Sequence, residues 1–331
     1  MPRGWHRRIG RTPLFTSTII AGASPLGSMP DLYGYDVSES AAVDFVLSLL
    51  RSPIRAIDTS NNYSDGTSER RIGKAIALAG GVPDDFMVIT KVDSAGGDFS
   101  GARVRESFRE SIERLGVRSV PLLFLHDPDA FEFGYMASAG GAVDALVQIR
   151  EEGLADAIGV ATGDTRLLHR YLDLGVFDVI LSHNRFTLVD RSADELFTRA
   201  VERGVGVLNA AVYGGGILAR PGESTKYSYK PASRELLEAI AAMNAVCTRA
   251  GIDLATAALQ FSLRDPRIDA TVVGITSENR IPSLIASAGM HIPDALWDEL
   301  EQFVPPASTW LDHPYHGRDS RAPKRPSRGD T

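Results

Sequence analysis

The chain has 331 residues, 44% of them hydrophobic and 23% charged, and its mean hydropathy is −0.07. That composition supplies a large core, enough for two domains or one large α/β barrel. No apolar run reaches the roughly eighteen residues of a membrane span, and a net charge of −7 argues against a nucleic-acid surface.

The basic N-terminus, Met1 to Arg11, is not followed by an apolar segment, so no secretory signal is expected. Short β-branched runs then alternate with longer amphipathic stretches, the pattern of a parallel α/β fold. The first strand is expected at Thr18–Gly22, followed by a helix that Ser38 caps, with Ala42, Phe45, Val46 and Leu49 on one face. Ile54–Asp58 reads as the second strand, and a helix begins at Ser68 and runs through Ile72, Ala75 and Ile76. Strands Phe86–Lys91 and Pro121–His126 follow, with a helix near Gly101–Leu115 between them. Helices near Gly140–Glu152, Thr165–Leu174 and Ala193–Arg203 separate the next strands, Ala157–Ala161, Val179–His183 and Val205–Ala210. Two more helices, Arg234–Ala250 and Leu254–Leu263, precede the last strand at Ala270–Gly274.

Cys247 is the single cysteine and reads as a small buried hydrophobe; with no disulfide framework, a reducing, cytoplasmic compartment is expected. Beyond His316, Arg318, Arg321, Lys324, Arg325 and Arg328 outweigh Asp319 and Asp330, so the body is more acidic than the whole. Residues 317–331 read as a basic, disordered tail and residues 1–316 as a single domain.

Eight strands with a helical stretch in every interval are the count of a (β/α)8 TIM barrel, here ending in an irregular C-terminal loop. A doubly wound sheet of eight strands is the competitor. No linker divides the body and no G-x-G-x-x-G follows the first strand, which favours the barrel. In a barrel, chemistry sits where strands end. The second strand ends at Asp58, with Tyr63 in the loop behind it; the third ends at Lys91 and the fourth at His126. Each alone has a plain structural explanation, but four titratable types at adjacent strand ends fit proton transfer coupled to hydride transfer. An ammonium beside a phenol favours the phenolate, so Lys91 is expected to lower the pKa of Tyr63 while Asp58 orients Lys91. His126 can hydrogen-bond the substrate oxygen.

At these residues the sequence resembles the aldo-keto reductase superfamily. The matching segments are Arg8-Ile9-Gly10-Arg11-Thr12, Ile57-Asp58-Thr59 with Tyr63, and Gly66-x-Ser68-Glu69-x-x-Ile72-Gly73-Lys74-Ala75. Lys91, His126, Gly159-Val160-Ala161-Thr162 and Gly274-Ile275-Thr276-Ser277-x-x-Arg280 continue the match, which covers about residues 7 to 305. The resemblance implies a (β/α)8 barrel, a nicotinamide cofactor, and a tetrad of Asp58, Tyr63, Lys91 and His126 with Tyr63 as acid/base. Within the superfamily the chain looks most like the sugar-oxidising D-threo-aldose (L-fucose, galactose) branch and pyridoxal 4-dehydrogenase. The cues are Asp58-Thr59-Ser60, Arg185-Phe186-Thr187-Leu188 and Asn209-Ala210-Ala211-Val212.

Departures from the pattern bear on the cofactor. Ala210 stands where many members stack a tyrosine on nicotinamide, and Ala211 where a phosphate-binding serine is common. An amide-binding Ser-Asn pair is replaced by Ala161-Thr162, whose hydroxyl can still hydrogen-bond; either His183 or Asn184 can meet the carboxamide. Gly214 and Gly216 offer backbone N–H groups to a pyrophosphate, with a plain turn as the alternative, and Leu218 and Thr276 complete the cofactor candidates. Gly274 stands where NADP-specific relatives often place a lysine, while Arg280 can meet a phosphate or stack on adenine; NAD is favoured over NADP.

No metal site is expected: His313 and His316 have metal-compatible spacing but no further ligands, and His6, His169 and His291 are isolated. Ser68 to Ala75 ends like a phosphate loop without its leading glycine and reads as helix. Tyr33, Phe131, Tyr213 and Trp310 can line a substrate pocket or simply pack. The expectation is an NAD(P)-dependent enzyme that oxidises a cyclic hemiacetal, an aldose or pyridoxal, to a lactone, with a small-molecule substrate and no nucleic-acid or membrane partner. The alternatives are an NADPH-dependent aldehyde or ketone reductase and a non-catalytic nicotinamide-binding regulatory barrel; oligomeric state is not legible in the sequence.

Overall fold

The structure, a computed structural model, describes residues 4–312. Eight parallel strands close into a barrel: β1 (Ile19–Gly22), β2 (Ala56–Asp58), β3 (Met87–Val92), β4 (Val120–His126), β5 (Ala155–Thr162), β6 (Val179–His183), β7 (Gly206–Ala210) and β8 (Ala270–Gly274). Neighbours in sequence are neighbours in the sheet, and β8 closes the ring by pairing with both β7 and β1. The (β/α)8 expectation therefore holds over the doubly wound sheet.

Alternation along each strand sorts the side chains into two layers. Ile20, Ala56, Ile89, Phe124, Ala161, Leu181, Leu208 and Val272 share one buried cluster inside the barrel. Their immediate neighbours Ile19, Ile57, Val88, Leu125 and Ile180 belong to the clusters beneath the helices. Both faces are thus covered, which is why the strands read as near-continuous apolar runs. Gly159 lies in β5 at the point where a Cβ would stand 2.3 Å from the Phe124 ring, so the bare backbone there is what lets Phe124 fill the interior.

The helices follow the sequence closely. Ser38 caps Glu39–Leu50 by accepting from the Ala41 N–H, and Ala42, Phe45, Val46 and Leu49 are buried on its inner face. The next helix, Thr67–Ala79, begins ahead of the expected Ser68. Ser68 is not its cap; it is buried, and its hydroxyl donates to the Ala23 carbonyl and meets Thr59. Two further helices, Arg280–Gly289 and Asp294–Glu301, carry apolar patterns too short to stand out. An N-terminal hairpin, His6–Arg8 with Phe15–Ser17, was also not foreseen; its turn sends Ile9 and Leu14 into the barrel interior cluster.

Cys247 is buried and its thiol is pushed up to about 11 by burial, the behaviour of a packing residue. Between Glu301 and Asp312 the chain is irregular apart from a short turn at Ala307–Thr309. Asp312 fastens it to the body by accepting from the Thr165 N–H and hydroxyl, at 2.9 and 3.0 Å. His313, His316 and the 317–331 tail lie outside the described residues. No helix among the described residues is long and apolar enough to cross a membrane.

Candidate active site

The parity that fills the barrel also builds its rim. Two residues beyond Ala56, Ile89, Phe124 and Leu181 stand Asp58, Lys91, His126 and His183, the next inward positions of β2, β3, β4 and β6. Strand pairing sets Asp58 beside Ile89, Lys91 beside Phe124 and His126 beside Ala161, so the first three line one arc. The corresponding positions of β7, β8 and β1 are Ala210, Gly274 and Gly22, and Gly274 pairs with Gly22 across the closing seam.

Lys91 is 1% exposed and spends its three N–H donors on Asp58 Oδ2 at 2.7 Å, the Thr59 carbonyl at 2.6 Å and the Tyr63 hydroxyl at 3.3 Å. A buried ammonium is costly without such partners, and replacing the pair by apolar groups is often neutral for stability. Its presence at the rim therefore points to chemistry rather than to folding. The Tyr63 ring stands edge-on to His126, with centroids 5.6 Å apart. From behind, Asn61 holds the Tyr63 loop: its amide donates to the Ser107 carbonyl and Glu110 at 3.0 Å, and Arg114 donates to its carbonyl at 2.9 Å.

One expectation is reversed. Burial raises the pKa of Tyr63 well above that of a free phenol, and the charges of Asp58, Tyr33, Asp127 and Asp93 add to the effect. An ammonium at Lys91 favours the phenolate, but it is paired with Asp58 at 2.7 Å. The net direction is upward, so the site favours the neutral phenol over the phenolate.

Two carboxylates that sequence reasoning missed flank His126. Asp93 accepts from its Nδ1 at 2.7 Å, and Asp127 lies 3.6 Å from its Nε2. Burial works against a charged imidazole, but the two carboxylates outweigh it and His126 is held above its ordinary pKa. Asp127 also lies 3.6 Å from His183 Nε2; burial opposes its charge, the two histidines prevail, and its pKa falls to about 2. The signal for Asp93 was the same parity: it is the next inward step after Lys91, just past the end of β3.

Backbone strain marks the same rim. Asp127 after β4, Asn184 after β6 and Ala211 after β7 hold φ of 41°, 62° and 55°, a left-handed region that costs non-glycine residues about 1–3 kcal/mol. Asn184 is buried, and its Oδ1 has no partner among the described residues. Thr162 donates to Asp129 and accepts from the Asp164 N–H. Gly214, Gly215 and Gly216 form a turn with φ of 61°, 80° and 105° that few other residues adopt.

The remaining candidates sort by place. Arg280 begins the helix after β8 and lies close enough to Tyr213 for its charge to act on that phenol, whose pKa burial lifts to about 12. Gly274 is exposed and Thr276 half-buried beside it. The Leu218 side chain is buried in the cluster that also holds Leu236, Ile240 and Met243 of the Arg234–Arg249 helix, and its N–H donates to the Tyr213 carbonyl at 3.2 Å. Phe131 packs edge-on against Phe99 with centroids 5.4 Å apart, and the Trp310 indole donates to the Pro305 carbonyl at 3.1 Å. Tyr33 hydrogen-bonds Ser24 at 2.7 Å. No group of three metal-ligating side chains occurs among the described residues.

A closed parallel barrel with Asp58, Lys91, Tyr63 and His126 on one arc of its rim defines a class of barrel oxidoreductase. Residues 18–305 match the aldo/keto reductase family, and the chain belongs to it. As a member it is an oxidoreductase acting on CH–OH or carbonyl groups. It is 32% identical to L-galactose dehydrogenase of Arabidopsis thaliana, over 92% of this chain and 96% of that protein. It is 29% identical to D-threo-aldose 1-dehydrogenase of a Pseudomonas species, over 75% and 83% of the two chains. Pyridoxal 4-dehydrogenase of Microbacterium luteolum is 28% identical over 89% of this chain and 96% of its own. Among solved structures, an aldo-keto reductase from Bacillus halodurans superposes with a TM-score of 0.74 at 21% identity, covering 93% of this chain and 98% of that one.

Proposed function

We propose that the protein oxidises a cyclic hemiacetal, an aldose or pyridoxal, to its lactone with a nicotinamide cofactor, and that Tyr63 is the acid/base. The observation that carries this reading is the Lys91 ammonium bonded at once to Asp58 and Tyr63 on the rim. A phenol in that setting gains or loses its proton against a neighbouring fixed charge. The names of the three curated relatives support the substrate class.

The cofactor, when bound, supplies the acceptor for the substrate's C–H electrons. The residues present fit it: Ala210 carries only a methyl, and Gly274 is exposed, with nothing nearer its Cβ position than Pro25 at 3.8 Å. Asn184 would offer its buried, unpartnered Oδ1 to the carboxamide, with Thr162 and His183 alongside. Gly214 and Gly216 would turn backbone N–H groups to a pyrophosphate. NAD is the preferred form, because Gly274 provides no cation for a 2′-phosphate, while Arg280 begins the helix that follows.

In oxidation Tyr63 first releases its own proton to solvent and then takes the proton of the substrate hydroxyl; Lys91 stabilises the phenolate between these steps and Asp58 holds Lys91 in place. A second reading, aldehyde reduction, is favoured by the burial that raises the pKa of Tyr63, since a phenol that is harder to ionise is less ready to act as base. Initial-rate absorbance separates the two, with NAD+ and NADP+ crossed against pyridoxal, L-fucose, D-arabinose and galactose. Reduction of NAD+ by one of these is expected; silence across the panel, with NADPH consumed on simple aldehydes, overturns the oxidation.

A further inference from the structure

We propose that Asp93 is a positioning residue for the reaction assigned above, on which this inference rests: it fixes the His126 proton on Nδ1, so that Nε2 is the nitrogen that gains or loses a proton at the substrate. An ionised carboxylate can only accept, and Asp93 already takes the Ser60 hydroxyl and the Asn62 N–H, the latter at 2.9 Å, on its Oδ2. Its Oδ1 lies 2.7 Å from His126 Nδ1, which must therefore be the donor. Asp93 is itself pinned: its N–H donates to Ser107 at 2.9 Å, its carbonyl accepts from Arg103 at 3.2 Å, and the residue is 6% exposed. The ring has no freedom to choose the other tautomer.

The consequence separates the two directions of catalysis. A neutral ring with its proton on Nδ1 presents a lone pair at Nε2, which accepts from a substrate hydroxyl. A charged ring presents an N–H at Nε2, which donates to a substrate carbonyl. One titration thus sets whether His126 favours the alcohol or the carbonyl. The groups around it are Ser60 and Tyr63 from the loop after β2, Lys91 on β3 and Asp93 just past its end, Asp127 beside it, Asp58 on β2 through Lys91, and His183 on β6 through Asp127. Burial and Lys91 oppose the charge, Asp93 and Asp127 sustain it, and the carboxylates prevail.

Two measurements test this. Nitrogen NMR of the full-length protein with labelled histidine is expected to show His126, once neutral, protonated on Nδ1; a neutral ring protonated on Nε2 overturns the proposal without any variant. Asp93→Asn removes the charge and keeps the shape, and the ring's pKa is expected to fall by about one unit or more. Reductive kcat/KM near neutrality then falls about tenfold while the oxidative limb starts at lower pH, and Asp93→Glu restores part of the shift. An equal loss at every pH with the titration unmoved makes Asp93 merely structural and overturns the proposal. A silent substrate panel would instead defeat the hemiacetal reading, and the histidine spectrum would still decide the tautomer.

Discussion

The two sides of the barrel rim obey one geometric rule and do opposite things with it. On β2, β3 and β4 the last inward positions are Asp58, Lys91 and His126, and polar atoms crowd together at 2.6–3.3 Å. On β7, β8 and β1 the same positions are Ala210, Gly274 and Gly22, and the side chains stop. One arc concentrates charge that would be too costly in a core and is tolerable only because each group is paired. The other carries nothing larger than the Ala210 methyl, which under the proposed function leaves exposed Gly274 open to the cofactor.

Breaking the crowded arc has the largest expected effect. Tyr63→Phe removes the proton donor, and kcat is expected to fall by about a hundredfold to ten-thousandfold in steady-state rates. Lys91→Met leaves Asp58 buried without its cation, so chemical denaturation is expected to show a loss of about 3–5 kcal/mol alongside the lost turnover. Filling the cleared arc acts on binding instead. A Cβ on Gly274 meets nothing nearer than Pro25 at 3.8 Å, so Gly274→Phe folds, and fluorescence titration is expected to show cofactor affinity weakened by about tenfold.

A smaller effect sharpens the charge account of His126. Its folded pKa is raised, so its contribution to stability is full below the unfolded value near 6.5 and is lost as pH rises through the folded value. Asp93 is depressed: burial opposes its charge, His126 and its hydrogen bonds outweigh that, and its contribution fades only as pH falls. The stability gap between the wild type and Asp93→Asn is therefore expected to be wider near pH 5.5 than near pH 9, by about 1 kcal/mol per unit of lost shift, as read from urea midpoints. The smallest effect belongs outside the rim. Phe131→Leu loses part of an aromatic contact, about 1 kcal/mol, with kcat unchanged.

The crowded arc was legible because charged residues at the ends of apolar runs are conspicuous. Asp58, Lys91 and His126 each interrupt a hydrophobic strand at a strand end, and a barrel brings consecutive ends together. Asp93 escaped because it stands beyond the run, where only the two-residue parity from Lys91 reveals it. The cleared arc was partly legible: Ala210 and Gly274 stood out as departures, but their alignment with Gly22 depends on how β8 closes onto β1, a long-range pairing. The sign of the Tyr63 shift was not legible at all. Adjacency of Lys91 suggested a lowered pKa, whereas the net field depends on burial and on carboxylates from three elements.

The division of labour between the arcs is tested most directly by measuring cofactor affinity and turnover together in Tyr63→Phe. The account predicts affinity within about twofold of wild type and turnover at least a hundredfold lower, because the hydroxyl serves the proton and not the cofactor. Near-wild-type turnover in that variant would contradict the assignment of Tyr63, and an equal loss of affinity and turnover would contradict the separation of the two arcs.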